Sequence, residues 1–314
     1  MADWKYTRGL HEIENGIYAY LQPDGSWGLN NAGLVVDGDR SMVVDTLYDL
    51  KLTREMRDAM QAATAAAANI DILVNTHVNG DHCFGNQLFA EAEIMASKAC
   101  AAEFETESPP QLMIDMLKAA PQMGELGEFF TRCFSRFDFE GIVMTPPTRT
   151  FEGRLDFKVG GKAIQLIEVG PCHTRGDSLV YVPGDQVLFA GDILFVEGTP
   201  IMWDGPLANW INALDLILGM DVKTIVPGHG PITDKGGVEN MKAYWQWVEA
   251  ESRRRYHAGM PVDEAAKEML SGPFAAWGDP ERIVINVDAM YREFAGDSAP
   301  ANRVELFSLM SKIA

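Results

Sequence analysis

Four of the six histidines in this chain, His77, His82, His173 and His229, fall at the ends of short apolar runs. So does Asp192, in Phe189-Ala190-Gly191-Asp192. Imidazole and carboxylate are natural ligands of Zn²⁺ and related ions. An ion held this way, with one coordination position open, lowers the pKa of a bound water and makes a nucleophile near neutral pH. Glycines beside these positions (Gly80, Gly85, Gly191, Gly228, Gly230) permit tight turns and close backbone approach. A lone histidine is usually a surface or hydrogen-bonded residue, and His11 and His257 stay in that class. His257 follows a basic stretch and precedes Ala258-Gly259, which fits a helix C-terminus. The other four stand apart because they share one context.

Residues so distant in sequence meet only if strands carry them to a common edge. Short apolar runs at 17–22, 33–37 and 41–46 read as strands, the last two as a hairpin turned at Gly38. Further strands are expected at Ile70 to Thr76, Ala163 to Val169, Gln186 to Ala190 and Lys223 to Val226. Helical patterns lie among them at 51–68, which ends in an alanine run, and around 97–106, 110–137 and 206–219. Strands interleaved with helices argue for an α/β body, in which sites assemble at the carboxyl ends of strands. The stretch from about 98 to 145, closed by Pro146-Pro147, reads as a helical insertion. After Gly236-Gly237 helices are expected at 238–258, 262–270, 280–294 and 303–312. Asp263 is the expected N-cap of the second, and Asp279-Pro280 the start of the third. The domain division read from this is 1–236 for the body and 237–314 for a C-terminal helical extension packed on it.

The 314 residues, 47% of them hydrophobic, are ample for a large core. A net charge of -19 repels phosphate backbones and anionic membrane surfaces, which argues against nucleic-acid and membrane partners. No apolar run is long enough to span a bilayer. The N-terminus, Met1-Ala2-Asp3-Trp4-Lys5-Tyr6, has no basic segment followed by an apolar one, so a cytoplasmic location is expected. The four cysteines, Cys83, Cys100, Cys133 and Cys172, are widely spaced and read as reduced thiols.

The chemistry-bearing residues resemble the metallo-β-lactamase superfamily in four blocks. Its His-x-His-x-Asp-His signature is matched by His77, Asn79, Asp81 and His82. Its next histidine is matched in Gly170-Pro171-Cys172-His173-Thr174, its bridging carboxylate by Gly191-Asp192, and its Gly-His-Gly by Gly228-His229-Gly230. Order and spacing agree from about residue 15 to 235. The resemblance implies an αββα sandwich with the site at one edge. It places one metal among His77, position 79 and His173, and the other among Asp81, His82 and His229, with Asp192 bridging. It also implies a metal-dependent hydrolase in which metal-bound hydroxide attacks a carbonyl-type bond in a thioester, lactone, ester or amide. Asp81 would ligate the metal and orient the water. Substrate does not follow from fold.

Position 79 carries Asn where that family usually has His. An amide oxygen is a poorer zinc ligand than imidazole and suits harder ions such as Mn²⁺ or Fe²⁺ better. One zinc ion or two of unequal affinity is therefore the expectation. Two alternatives stand beside the hydrolase. One is an iron-dependent oxidoreductase of the sulfur dioxygenase kind; the other is a non-catalytic binding protein with a decayed site. Trp27, in Gly25-Ser26-Trp27-Gly28, and Trp203, in Met202-Trp203-Asp204, are candidates to touch a small-molecule substrate, each as lid or as plug. Cys83 and Cys172 each neighbour a ligand histidine, but adjacent side chains point apart. Tyr244, Trp245 and Trp247 read as core or as the face of a homo-oligomer.

Overall fold

A computed structural model of the chain describes residues 5–297 and 299–314. Met1 to Trp4, on which the reading of the N-terminus partly rests, lie outside the described residues. Strands β1 (Gly9–Glu14) and β2 (Ile17–Leu21) pair antiparallel, and β3 (Ala32–Asp37) and β4 (Arg40–Val44) form the expected hairpin. Helix α1 (Leu50–Ala63) is capped by Asp49, whose side chain accepts from Leu52 N at 2.7 Å, and it buries Leu50, Thr53, Met56 and Met60 on one face. It stops short of the expected 68. Thr64 is extended, and Ala65–Ala68 form a 3-10 turn. Alanines offer no broad apolar face to hold a helix against the core, so the local turn at Thr64 prevails.

The chain continues through β5 (Ile72–Val74), the single turn α2 (Gly80–Cys83), β6 (Glu93–Ser97) and the insertion helices α3 (Lys98–Glu103), α4 (Pro110–Ala119) and α5 (Gly124–Phe134), then β7 (Arg149–Phe151). Pro110 and Pro121 begin new helical segments, so the insertion is three helices rather than the two expected. Strands β1 to β7 lie side by side in chain order, with β4 to β7 parallel. A second sheet holds β8 (Arg154–Val159), β9 (Lys162–Glu168), β10 (Ser178–Val182) and β11 (Val187–Phe189). After α6 (Leu207–Gly219) it gains β12 (Thr224–Val226), parallel to β11.

The two sheets face each other across Ile17, Val35, Val44 and Val74 on one side and Ile164, Val180 and Phe189 on the other. Met56 and Met60 of α1 cover the outer face of the first sheet over Leu34, Val43 and Leu73. The second sheet's outer face, with Leu179, Leu188 and Ile225, is covered by Trp210 and Leu214 of α6 and by Trp245 of α7 (Lys235–His257). This is the αββα sandwich. Strand β10 is buried along its whole length because both its faces are covered.

The remaining helices are α8 (Val262–Met269), α9 (Ile283–Ala295) and α10 (Arg303–Ser311). Helices α8 and α9 pack on α7 and on each other, and α10 packs on α9 and α5. Asp263 is not the N-cap of α8. Pro261 holds that place, and Asp263 sits in the first turn, where a carboxylate faces the positive end of the helix. Asp279 precedes a 3-10 turn, Pro280–Arg282, that leads into α9. His257 is the last residue of α7, and Tyr244 and Trp245 are buried core. Among the described residues no helix is long and apolar enough to cross a membrane.

Candidate metal centre

Each chemistry-bearing side chain sits just past the end of a strand. His77 follows β5, with α2 carrying Asp81 and His82 directly after it; His173 follows β9, Asp192 follows β11, and His229 follows β12. Asp45, just past β4, ties the first of these segments together. Its carboxylate accepts from Thr76 N and Thr76 Oγ1, both at 2.7 Å, and lies 2.9 Å from His82 Nδ1. The His82 ring is thereby oriented with Nε2 turned inward. The His173 loop is pinned by Asp177, which accepts from Cys172 N, Thr174 N and Thr174 Oγ1. His173 Nδ1 donates to Ile201 O at 2.6 Å, and His229 Nδ1 donates to Gly25 O at 3.1 Å. These contacts fix the tautomers that leave Nε2 of each ring facing the centre.

Asp192 stands among the four imidazoles. Its Oδ2 is 3.3 Å from His173 Nε2, 3.5 Å from His229 Nε2 and 3.8 Å from His77 Nε2; its Oδ1 is 3.1 Å from His82 Nε2. Asp81 Oδ2 is 3.3 Å from His229 Nε2. Asn79 Oδ1 is 2.6 Å from His173 Nε2. Backbone must come very close to make room: a Cβ on Gly228 would lie 1.9 Å from Asp192 Oδ1, and Gly191 has φ +49°. The structure therefore brings together all seven positions singled out in the sequence.

Among the described residues two clusters have the spacing of an ion's ligand set: His77, His82 and Asp192, and Asp81, His82 and His229. The second matches the grouping that the family resemblance implies. In the first, His77 groups with His82 and Asp192, while Asn79 lies against His173. A divalent cation fits the donors. His77 Nε2, His82 Nε2 and Asp192 Oδ1 are buried without a hydrogen-bond partner, although His82 and Asp192 are close enough for one if aligned. Leaving three such atoms unpaired would be costly; coordination satisfies them together.

Electrostatics agree. Burial disfavours charge on His77 and His173, and both are held below the usual imidazole range. Burial acts the same way on His82 and His229, but there the carboxylates win: Asp192, Asp45 and Asp81 hold His82 well above its usual value, and Asp192 and Asp81 bring His229 to about 9. Burial would raise Asp192, yet the four surrounding rings hold it low. The centre thus calls for positive charge, which a divalent ion supplies while the rings stay neutral ligands.

Cys83 Sγ donates to Val78 O, Cys172 Sγ donates to Val169 O, and burial pushes both thiols up. Neither belongs to a ligand cluster.

Asn79, Asp81, His173, Asp192 and His229 form part of the lining of a cavity of about 240 Å³. Trp27 and Trp203 both line it. Trp27 is nearly buried; its Nε1 donates to Glu281 Oε1 at 3.1 Å, and the Arg282 guanidinium lies 4.3 Å from its ring. Arg303 lies 4.9 Å from the Trp203 ring. The insertion contributes Met113, Met116, Phe130 and Phe134, and α10 contributes Val304 and Phe307. Sequence reasoning missed Asp45, Arg282 and Arg303. Asp45 carried a usable signal, since Val43-Val44-Asp45 ends a strand as Phe189-Ala190-Gly191-Asp192 does. The two arginines lie in helices whose pattern gives no hint of a site.

Residues 25–229 match the model of the metallo-beta-lactamase superfamily. Over 253 residues the chain is 25% identical to the 2,4-dinitroanisole O-demethylase subunit alpha of Nocardioides sp. (strain JS1661), covering 77% of this chain and 67% of that one. It is 27% identical over 138 residues to the hydroxyacylglutathione hydrolase of Brucella ovis, covering 42% and 53%. The chain thus spans only about half the length of that second relative. Its fold is shared with a metallo-beta-lactamase family protein from Thermus thermophilus, at a TM-score of 0.61 and 19% identity over 90% of this chain and 94% of that one. With the matched segment running from the Trp27 loop to His229, the chain belongs to the metallo-beta-lactamase superfamily.

Proposed function

We propose that the chain is a metal-dependent hydrolase of a carbonyl-type bond in a small molecule: a thioester, lactone, ester or amide. The observation that carries this reading is the cluster of four imidazoles around Asp192, with buried unpartnered donors, at the floor of a cavity large enough for a substrate. His77, Asn79, His173 and Asp192 would hold one ion, and Asp81, His82, His229 and Asp192 the other. An ion bound there supplies a Lewis acid that acidifies a water and polarises the carbonyl. Asp81, whose side chain is 14% exposed, faces the cavity. Its Oδ2 orients the attacking water. The water's oxygen adds to the carbonyl carbon, and its proton passes by way of Asp81 to the leaving oxygen, sulfur or nitrogen as that bond breaks. Asp45 keeps His82 in the ligating tautomer, and the Ile201 and Gly25 carbonyls do the same for His173 and His229.

Zinc is the first choice of metal, because imidazoles dominate the donor set. Asn79 takes the place of a histidine ligand and makes the two affinities unequal. Its oxygen also favours Fe²⁺ or Mn²⁺ on that side. The aromatic lining favours a second substrate reading, hydrolysis at the C–O bond of an aryl ether, in keeping with the name of the Nocardioides relative. A screen of thioester, lactone, ester and aryl methyl ether substrates with the zinc-loaded protein, using Asp81→Ala as blank, tests the proposal. Turnover above the blank supports it; a wild type equal to the blank on every substrate overturns it.

A further inference from the structure

The cavity's walls differ in kind from its floor. Above the carboxylates and imidazoles most of the lining is carbon and sulfur: Met113 and Met116 from α4, Phe130 and Phe134 from α5, Phe307 from α10, and the Trp27 ring. The methionines are flexible and polarisable and adapt to varied apolar shapes. The mouth continues this character. Among the described residues four large hydrophobic side chains are exposed, and two of them, Leu112 (45%) and Val304 (66%), line this one cavity. Exposed apolar side chains gathered at a concave site mark where an apolar group enters.

The two arginines at the cavity are each held by an acidic partner, with Arg282 Nε left buried and unpaired. Arg282, 2% exposed, pairs with Asp279 at 2.9 Å, donates to Thr199 O, and lies between the Trp27 and Phe195 rings at 4.3 and 5.8 Å. Arg303 pairs with Glu107 at 3.3 Å. Among the described residues the lining contains no lysine. Glu107 adds negative charge to the same lining, within a chain of net charge -19. A substrate arm ending in a carboxylate would have to displace Glu107 from Arg303 or reach the buried Nε of Arg282 to find a positive partner on these walls, and would lose its hydration.

From this we infer that the cavity selects substrates whose acyl arm is uncharged and apolar, up to the size of one substituted aromatic ring, and discriminates against acidic arms. The inference rests on the hydrolase reading for its kinetic test, but its binding test is independent. An apolar protein cavity of about 150 Å³ holds benzene, so about 240 Å³ leaves room for a substituent. The insertion and α10, which contribute most of the apolar wall, are then the main specificity-determining parts of the chain.

The kinetic experiment compares kcat/KM of the zinc-loaded protein on 4-nitrophenyl acetate, butyrate and benzoate and on mono-4-nitrophenyl succinate, whose acyl arm matches butyrate in carbon number. Burial of each methylene contributes about fourfold, so butyrate is expected to exceed acetate on the order of tenfold. Succinate is expected to fall below acetate. Phe130→Ala and Leu112→Asp should both lower the butyrate-to-acetate ratio; the second lies at an exposed position and does not threaten the core. A flat series, or succinate faster than butyrate, overturns the inference while leaving the hydrolase reading intact.

If no ester is cleaved above the Asp81→Ala blank, the hydrolase reading fails and binding decides the inference. Calorimetry of the chelator-treated full chain with 4-methylphenol and with 4-methylbenzoate is expected to show binding of the first, weakened in Leu112→Asp, and at least tenfold weaker binding of the second. Equal binding of the two, or no binding of 4-methylphenol, overturns it.

Discussion

Asn79 Oδ1 and His173 Nε2 face each other at 2.6 Å, on a ring whose Nδ1 hydrogen is already given to Ile201 O. Burial holds this ring below the usual imidazole range, and in the neutral form its Nε2 presents a lone pair to the lone pairs of an amide oxygen. Such a contact is favourable only with a cation shared between the two atoms, or with the amide rotated so that its NH₂ faces the ring. The first arrangement makes Asn79 a ligand.

The two affinities should then be separable. Dialysis of the zinc-loaded protein against increasing chelator should release the ions in two steps. Asn79→His should move the weaker step to higher chelator concentration, and Asn79→Ala should move it lower. Metal analysis of the retained fraction reads this directly. A single step unaffected by either substitution would remove Asn79 from the ligand set.

Asp45 touches the metal only through His82, by the 2.9 Å contact to Nδ1. Removing a carboxylate that orients a ligand histidine typically costs roughly 10–100-fold in metal affinity. Asp45→Ala is expected to show a loss of that size by competition with a chromophoric chelator, with His82 still present.

Trp27 anchors the cavity wall to the C-terminal helices through its bond to the buried Glu281. Trp27→Phe keeps most of the ring but leaves that carboxylate without its indole donor. A loss of about 1–3 kcal/mol is expected, measured as a lower urea midpoint at unchanged slope.

Glu103 lies beside the adjoining surface cleft. Burial, with Asp204 adding to it, pushes its carboxyl up to about 7 against the opposing bond from Arg175 N, and its Oε2 has no hydrogen-bond partner. Its folded pKa exceeds its unfolded one, so between about 4.5 and 7 the folded state binds more protons. This group's contribution therefore favours folding at low pH and is lost as pH rises through 7. Glu103→Gln removes the dependence, so wild type should lose stability relative to the variant on going from pH 5 to pH 8. Thermal melts of the pair across that range measure it.

Much of this was legible in the sequence, for reasons tied to particular elements. The strand ends that carry His77, His173, Asp192 and His229 are short apolar runs broken by glycine, and that pattern marks a sheet edge whatever the rest of the chain does. Strand β7, Arg149-Thr150-Phe151, is too short to show a period, whereas β8 alternates polar and apolar residues from Arg154 to Val159 and its signal was there to be read. Strand β10, apolar after Ser178, was missed because a strand covered on both faces has no alternation to detect. The helix expected through Ala68 failed because propensity without a face to bury does not outlast the turn at Thr64. Asp45 stands at a strand end that the pattern does mark, whereas the cavity arginines depend on contacts across dozens to hundreds of residues, such as Arg282 to Thr199, and no local pattern reports those.

The most direct test is zinc titration of chelator-treated protein while hydrolysis of 4-nitrophenyl butyrate is followed. The expected result is a rate near the Asp81→Ala blank without metal, rising with bound zinc and saturating by two equivalents per chain. A rate that persists undiminished after chelation, or that stays at the blank when zinc is bound, would contradict a metal-dependent hydrolase.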